Sequence, residues 1–387
     1  MTAETDIDEM IVRYVGELTA AGAVRSATVE RAFLTVPRHR LLETFYYRDQ
    51  TGASTTVDHD PEHPRRDHLE LIYAATALAT RRVNGMPVSS TSLPSLMAQM
   101  LELLELGDGL RVLEIGAGTG YNAALMAEIV GDQHLVTTVD VQADVVAQTR
   151  RLLARAGYPQ IQVRFGDGFD GVAAQRPFDR IVATVGCSDL SPHWAEQLAD
   201  DGVMLIPLEH AGGHPLVRVR KDHGVLSGQV VQWTGFMPVR GPLHIEDLWP
   251  LGYICPDPGE IACAAELGPR LATTGPDGSR ELSDDETGLL FFLGLADRRA
   301  FHGPNGPGLN AVFDGWADAG ADGIWWWKDA ALARELDRYA RDWDALGRPG
   351  VGDYRVSFRP ARAACDPPPG GWVIERRFHR ELVTLGS

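Results

Sequence analysis

Five consecutive residues, Gly116-Ala117-Gly118-Thr119-Gly120, alternate glycine with small side chains in a pattern suited to holding a nucleotide. The run before them, Arg111 to Ile115, is rich in branched apolar side chains, which is typical of a buried parallel strand. From Tyr121 the apolar spacing lengthens to that of a helix, and a second short run, Leu135 to Val139, ends at Asp140. This order of strand, glycine turn, helix and acid-terminated strand predicts a nucleotide-binding βαβ unit.

The spacing of the glycines indicates which kind of nucleotide the loop binds. A dinucleotide loop has a third glycine three residues after the second, but Tyr121 occupies that position. Glu114 stands just before the loop, and Asp140, 20 residues after Gly120, can accept both ribose hydroxyls through its two oxygens. The pattern resembles the S-adenosylmethionine (SAM) loop of class I methyltransferases. A structural glycine turn in another α/β protein is the alternative interpretation.

This resemblance implies a cofactor site that extends along the sheet. Asp167 follows a third predicted strand, residues 161–165, and would accept the adenine amino group, while Thr184 lies towards the end of a fourth, residues 178–185. Ligands of doubly wound sheets bind at the carboxyl ends of the strands, so we expect these side chains to converge. The predicted cofactor residues are Glu114, Gly116, Gly118, Thr119, Gly120, Asp140, Val141, Asp167, Gly168 and Thr184.

A hydroxyl-rich segment upstream of the loop is the candidate acceptor site. Residues 86–97 lead through Ser92-Leu93-Pro94 into a predicted helix that extends to Leu104. Proline is tolerated in a first helical turn, so Ser92 is expected at or near the N-cap, which is a purely structural role. The functional alternative is a carboxylate-binding nest of hydroxyls and unpaired N–H groups.

Five short segments occur in the order found in protein-L-isoaspartate O-methyltransferases, and the likeness covers about residues 8–241. They are residues 32–39, 92–100, 110–120, 166–168 and 235–239. The resemblance implies that Ser92 lies at the methyl-acceptor carboxyl, with Thr91 and Ser90 as further catalytic candidates. Leu93 departs from the family, which commonly has a polar residue there, and this difference fits an altered substrate.

The expected fold class is α/β, a class I SAM-dependent methyltransferase with a Rossmann-like doubly wound sheet. The predicted parts are an N-terminal helical, substrate-side segment over 1–106, the SAM-binding domain over 107–241 and a C-terminal α+β accessory domain over 242–387. In the last part we predict strands over Gly288 to Leu295 and Ile324 to Lys328, a helix over Asp329 to Leu346, and a hairpin of Asp353 to Arg359 with Gly371 to Leu382.

Composition excludes several classes of protein. The net charge of −17 over 387 residues argues against a nucleic-acid substrate, which needs clustered basic residues. No run approaches the roughly 18 apolar residues of a membrane helix, and the acidic start lacks the features of a signal peptide. We therefore expect a cytoplasmic protein that is a monomer or a small homo-oligomer.

Metal chemistry is not expected either. The four cysteines have neither disulfide-framework nor zinc-site spacing; they are Cys187, Cys255, Cys263 and Cys365. The histidines and acids of Asp58 to His63 are expected to lie in a solvated loop, because a proline interrupts them and no helical His pair is present.

Similarity to the family implies methyl transfer from SAM to a carboxyl oxygen of a peptide or protein. The long C-terminal part and the insert over residues 49–84 resemble longer relatives associated with ribosomal peptides. We therefore favour esterification of an aspartate in a macrocyclic precursor peptide, of the graspetide or the lanthipeptide class, with collapse of the ester to an aspartimide. The alternatives are an isoaspartate repair enzyme, a catalytically idle peptide-binding protein and, least favoured, a small-molecule methyltransferase.

Overall fold

The computed structural model describes residues 3–48, 54–244, 263–266, 282–302, 307–310, 316–319, 324–327 and 329–386. The chain forms two units. The first comprises Met1–Val185 and His193–Leu205, and the second comprises Gly186–Pro192 and Ile206–Ser387.

The first unit begins with helices and a small antiparallel sheet. The helices are α1 Ala3–Ala20, α2 Ala27–Thr35, α3 Arg66–Ile72 and α4 Pro94–Leu103. The strands are β1 Thr44–Arg48, β2 Ser54–Asp58, β3 Leu78–Val83 and β4 Met86–Thr91, in the order β2-β1-β3-β4. The segment expected to be helical therefore also contains a sheet, which the sequence did not indicate.

A parallel sheet forms the rest of the first unit. Its strands are β5 Val112–Ile115, β6 Val136–Asp140, β7 Gln162–Phe165, β8 Phe178–Ala183 and β9 Leu198–Pro207, in the order β9-β8-β5-β6-β7. The connecting helices are α5 Tyr121–Val130, α6 Ala143–Ala156 and α7 Pro192–Gln197. All four residues of β5 are buried, as expected of a central parallel strand that is covered on both faces.

Backbone geometry at helix ends explains why these elements begin and end where they do. Gly120 precedes α5 with φ +84°, and Gly131 ends α5 with φ +77°. Gly157 ends α6 with φ +96°. Only glycine adopts these left-handed conformations without a steric penalty, and glycine is therefore the usual residue after a helix.

The second unit contains two antiparallel sheets. Its elements are β10 Leu216–Asp222, β11 Val225–Gln232, β12 Cys263–Glu266, α8 Asp284–Ala296, β13 Ala300–His302, β14 Pro307–Asn310, β15 Trp316–Ala319, β16 Ile324–Trp327, α9 Ala330–Ala345, β17 Tyr354–Pro360, β18 Trp372–Glu375 and β19 His379–Leu385. One set of neighbouring strands has the order β18-β19-β17-β11-β10, and the other has the order β12-β16-β15-β14-β13. Helices α8 and α9 pack with the latter sheet around a core that includes Leu289, Leu293, Leu309, Leu336 and Trp343.

The prediction of a strand over Gly288 to Leu295 is wrong, because these residues lie in helix α8. Residues 286–293 are all buried, so no polar face marks the helical period. A capping box does mark its start. The Ser283 hydroxyl accepts a hydrogen bond from the Glu286 amide, and the Glu286 carboxylate accepts one from the Ser283 amide.

The final hairpin also differs from its prediction. Gly371 to Leu382 is not one strand but contains β18 and the start of β19, which are separated by Arg376, Arg377 and Phe378. The Arg376 amide donates to the His379 carbonyl at 2.9 Å and closes this turn. Strand β19 then pairs with both β18 and β17, so the predicted partner strand is correct.

Two kinds of feature are absent from the described ranges. No helix there combines the length and apolar character that crossing a bilayer requires. No group of three or more His, Cys, Asp or Glu side chains in these ranges could hold a metal ion.

Candidate cofactor and acceptor site

The glycine loop between β5 and α5 is folded so tightly that side chains would not fit. Gly116 has φ +102°, and a β-carbon there would lie 2.7 Å from Oγ1 of Thr184. A β-carbon on Gly120 would lie 2.9 Å from Cγ of Leu153. The loop therefore needs glycine for both backbone conformation and space.

Asp140 is fixed at the end of β6 by two backbone donors. Its Oδ2 accepts a hydrogen bond from the Ala117 amide of the glycine loop at 3.2 Å. Its Oδ1 accepts another from the Gln142 amide at 3.0 Å. A carboxylate accepts several hydrogen bonds at once, so this anchored group can also accept ribose hydroxyls. The adjacent Val141 is 41% exposed and offers an apolar surface beside it.

Thr184 connects the loop to the end of β8. Its amide donates to the Ile115 carbonyl at 3.0 Å. Its Oγ1 lies 3.0 Å from that carbonyl oxygen and 2.9 Å from the Gly116 carbonyl oxygen. The Thr184 hydroxyl therefore braces the first glycine of the loop.

Asp167 and Gly168 follow β7 at the same edge of the sheet. Oδ1 of Asp167 accepts a hydrogen bond from the Phe169 amide at 2.9 Å. A β-carbon on Gly168 would lie only 2.5 Å from Cγ2 of Ile115, so no larger residue fits there. The Gly168 carbonyl accepts a hydrogen bond from the buried Trp194 indole at 2.7 Å.

Glu114 lies beneath the loop in the interior. Its Oε1 accepts a hydrogen bond from Nδ2 of Asn122 at 2.8 Å, which ties β5 to the first turn of α5. Burial raises the pKa of Glu114 to about 7, although the Asn122 hydrogen bond opposes the rise. Thr119, within the loop, is also buried. Because both side chains are buried, their contribution is to support the loop.

Pairing of the parallel strands brings the predicted cofactor residues to one edge. The Gly116 amide donates to the Val139 carbonyl at 2.9 Å, and the Gly166 amide donates to the Asp140 carbonyl at 3.1 Å. Strand β5 also pairs in register with β8, which ends just before Thr184. The first residues after four adjacent strands are thus neighbours, as the sequence predicted.

The predicted acceptor residues lie on and just after β4. Thr91 pairs with Leu78 and Ser90 with Ala79 of β3. The Ser90 carbonyl oxygen lies 3.3 Å from the position that a β-carbon on Gly118 would take, so β4 contacts the glycine loop. The Thr91 hydroxyl is buried and has no hydrogen-bond partner among the described residues.

Ser92 lies directly before the N-cap of α4, in agreement with its predicted place at or near the N-cap. The N-cap is Leu93, and it makes no side-chain capping hydrogen bond. Strand β4 extends to Thr91, so Ser92 and Leu93 link the strand to the helix. Ser92 is partly exposed, and its hydroxyl has no capping role at the helix start.

Sequence reasoning did not identify Arg81 as part of this site. Its Nη1 donates to Oε1 of Gln142 at 2.8 Å, next to Asp140. No periodic pattern marks the segment before β4, so only the fold reveals that β3 approaches the start of α6.

Comparison with known proteins agrees with this geometry. The family model of protein-L-isoaspartate(D-aspartate) O-methyltransferase (PCMT) matches residues 12–243. A protein-L-isoaspartate O-methyltransferase of Methanococcus maripaludis is 30% identical over 237 residues, which is 60% of this chain and 96% of that protein. One from Thermococcus sibiricus is 35% identical over 206 residues, which is 53% of this chain and 80% of that protein.

A solved structure of a protein-L-isoaspartate O-methyltransferase shares the fold. Its TM-score is 0.53 at 24% identity, and the match covers 90% of this chain and 96% of that one. The predicted class I methyltransferase fold with an additional C-terminal domain is therefore confirmed, as is SAM as the cofactor. The chain belongs to the protein-L-isoaspartate(D-aspartate) O-methyltransferase family and is a SAM-dependent protein carboxyl O-methyltransferase.

Proposed function

We propose that the protein methylates the free carboxylate of L-isoaspartyl residues in proteins or peptides. The observation that supports this proposal is the contact between β4 and the glycine loop. The Ser90 carbonyl of β4 lies against Gly118, so a strand that bears hydroxyl groups reaches the cofactor loop. The relatives named above are isoaspartate enzymes, so they favour this substrate over the ribosomal peptide that ranked first in the sequence analysis.

The residues fit SAM. The glycine loop forms a tight turn that only glycine fits, and the anchored Asp140 carboxylate can accept ribose hydroxyls. We propose that Val141 contacts the adenine ring and that Asp167 accepts its amino group, while Gly168 and Thr184 keep the surrounding backbone in place. SAM supplies a methyl group bound to a positively charged sulfur.

The chain's own residues need only align and desolvate the acceptor. An acceptor carboxylate is ionised at neutral pH, since its pKa lies near 4, so no general base is required. We propose that Ser92, with Thr91 and Ser90, holds one carboxylate oxygen so that the other faces the methyl group. Such alignment of two reactants can contribute roughly 7–11 kcal/mol to lowering the barrier.

After transfer, the ester requires no further help from the protein. The neighbouring backbone nitrogen attacks the ester carbonyl and methanol leaves, which gives a succinimide. Hydrolysis of that ring then regenerates a mixture of aspartyl and isoaspartyl peptides. This sequence of steps converts a damaged linkage towards the normal one.

The second candidate function is esterification of an ordinary aspartate in a cross-linked ribosomal peptide, with collapse to an aspartimide. Leu93 supports it, since this apolar side chain is 37% exposed beside Ser92. The C-terminal part, proposed above as an accessory domain over 242–387, would then contribute to peptide recognition. Its presence alone does not favour this candidate, because the fold of a solved isoaspartate enzyme covers 90% of the chain.

The deciding experiment is mass spectrometry of three acceptors incubated with SAM. They are an isoaspartyl peptide, the same peptide with normal aspartate, and a side-chain-cyclised peptide with normal aspartate. We expect a gain of one methyl group, followed by loss of methanol, on the isoaspartyl peptide alone. Methylation of the cyclised peptide alone would instead establish the second candidate. Tight SAM binding with no transfer to any peptide would indicate an idle binding protein.

A further inference from the structure

Arg81 joins the small antiparallel sheet to the start of α6. Its Nη1 lies 2.8 Å from Oε1 of Gln142 and 2.8 Å from Oδ2 of Asp144. The Arg81 side chain is 38% exposed, so the contact lies at the edge of the protein and not in its core.

Gln142 connects this contact to the cofactor site. It is the N-cap residue of α6, and its backbone amide donates to Oδ1 of Asp140. The other oxygen of Asp140 holds the Ala117 amide of the glycine loop. Arg81 therefore contacts the side chain of a residue whose main chain fixes Asp140.

The strand that carries Arg81 also determines where the acceptor strand lies. Strands β3 and β4 form a hairpin whose turn contains Asn84, with φ +51°, and Gly85, with φ +80°. Pairing of β3 with β4 places Ser90 opposite Ala79, two residues before Arg81. A shift of β3 would thus move the strand that carries the acceptor hydroxyls.

A second anchor holds the same sheet to α6 farther from the cofactor. The Glu43 carboxylate, just before β1, is bound by Arg151 at 2.6 Å and by Arg155 at 2.9 Å. This anchor keeps the sheet attached when the Arg81 contact is removed. A variant at Arg81 is therefore expected to remain folded.

We propose that Arg81 is a positioning residue that sets the distance between the acceptor strand β4 and the cofactor. This inference rests on the proposed function. Arg81 would act through its contacts with Gln142 and Asp144 and through the pairing of β3 with β4. Asp140 keeps both of its backbone donors without Arg81, so cofactor affinity does not depend on the guanidinium.

The test compares Arg81→Ala with Arg82→Ala. Arg82 is the next residue of β3, and its guanidinium stacks at 4.7 Å over the Tyr46 ring and donates to the Ser54 hydroxyl. We expect Arg81→Ala to lower kcat/KM for the isoaspartyl peptide roughly fivefold, as expected for loss of one partly exposed ion pair and one hydrogen bond. Affinity for S-adenosylhomocysteine (SAH) should stay unchanged, and Arg82→Ala should match the wild type in both measurements.

A charge reversal separates positioning from general support of the fold. The pair Arg81→Asp with Asp144→Arg should recover most of the lost kcat/KM, whereas Arg81→Asp alone should not. Equal effects of Arg81→Ala and Arg82→Ala, or a parallel loss of SAH affinity, would overturn the proposal.

Hydrogen exchange tests Arg81 even if the isoaspartyl peptide proves not to be the substrate. With SAH bound and no acceptor present, the backbone amides of residues 88–91 should exchange faster in Arg81→Ala than in Arg82→Ala. Identical exchange in these two variants would also overturn the role of Arg81. Failure of wild-type transfer alone would count against the proposed substrate and not against this role.

Discussion

The Ala117 amide lies 3.2 Å from Oδ2 of Asp140, so the glycine loop and the carboxylate expected to bind ribose hold each other in place. Neither depends on the cofactor for its position, because the Gln142 amide fixes the other carboxylate oxygen. The proposed cofactor surface is therefore preformed at the centre of the parallel sheet. Preformed sites avoid much of the ordering cost of binding.

Replacing Asp140 by alanine is expected to weaken SAH binding by about 1.5–3 kcal/mol, the range for a lost hydrogen bond to a charged group. Isothermal titration calorimetry would measure the change. Asp132→Ala is the matched control, since this exposed carboxylate lies before the opposite end of β6. Unchanged affinity in Asp140→Ala would show that the ribose lies elsewhere.

Replacing Ser92 by alanine should slow methyl transfer and leave SAH affinity intact. Its hydroxyl does not cap α4, so its removal is not expected to destabilise the helix. Loss of one hydrogen bond to a carboxylate would lower kcat/KM about tenfold, equivalent to roughly 1.5 kcal/mol. Steady-state kinetics with varied peptide provides the measurement. Wild-type turnover in this variant would remove Ser92 from the acceptor site.

The raised pKa of Glu114 makes the stability of the cofactor-free protein depend on pH. The folded carboxyl keeps its proton up to pH about 7, whereas an unfolded glutamate loses it near 4.5. Between these values only the unfolded state releases the proton, so the free energy of unfolding falls as pH rises, by about 1.4 kcal/mol per unit.

Glu114→Gln removes this proton release. Relative to the wild type, we expect the variant to gain roughly 3 kcal/mol in unfolding free energy between pH 4.5 and 7.5. Denaturant unfolding at both pH values would measure the difference. Parallel stability profiles of the two proteins would contradict the assignment of a protonated, buried carboxyl.

Arg376 and Glu381 form a buried ion pair at 2.6 Å in the second unit. Burial alone would raise the pKa of Glu381, but Arg376 and His210 lower it to about 2. The pair therefore stabilises the fold above pH about 4.5, and this stability is lost as pH falls towards 2.

Glu381→Gln should cost about 3–5 kcal/mol, because it leaves the Arg376 charge buried without its carboxylate. The double variant Arg376→Met with Glu381→Leu should be clearly more stable than the single one. Thermal unfolding of the three proteins at pH 7 would compare them. A double variant less stable than Glu381→Gln would contradict this interpretation.

Prediction from sequence was most successful where the chemistry is local. The strand before Gly116, the helix after Tyr121 and the strand that ends at Asp140 lie within two residues of their predicted bounds. Buried parallel strands are continuous apolar runs, and glycine marks the turns between them and the helices. Both signals are contained in single short segments.

The missed features depend on tertiary contacts. Helix α8 has no polar face over residues 286–293, so the sequence shows no helical alternation of apolar and polar residues there. Ser283 and Glu286 do signal the start of the helix. Strands β1–β4 are short and contain few buried residues, so apolar alternation along them is weak. The contact of Arg81 with Gln142 joins residues 61 positions apart, and no local pattern encodes it.

The family match ends at residue 243, but the segment Gly186–Pro192 within it folds with the second unit. The buried carboxylate of Asp189 accepts hydrogen bonds from the Phe378 amide at 2.6 Å and the His379 amide at 3.2 Å, and its Oδ1 lies 3.0 Å from Nδ1 of His379. A chain cut at residue 243 would lose these hydrogen-bond donors to Asp189. The portion that matches the family thus depends on contacts with residues outside the match, and substitutions near Asp189 must be compatible with the residues near His379.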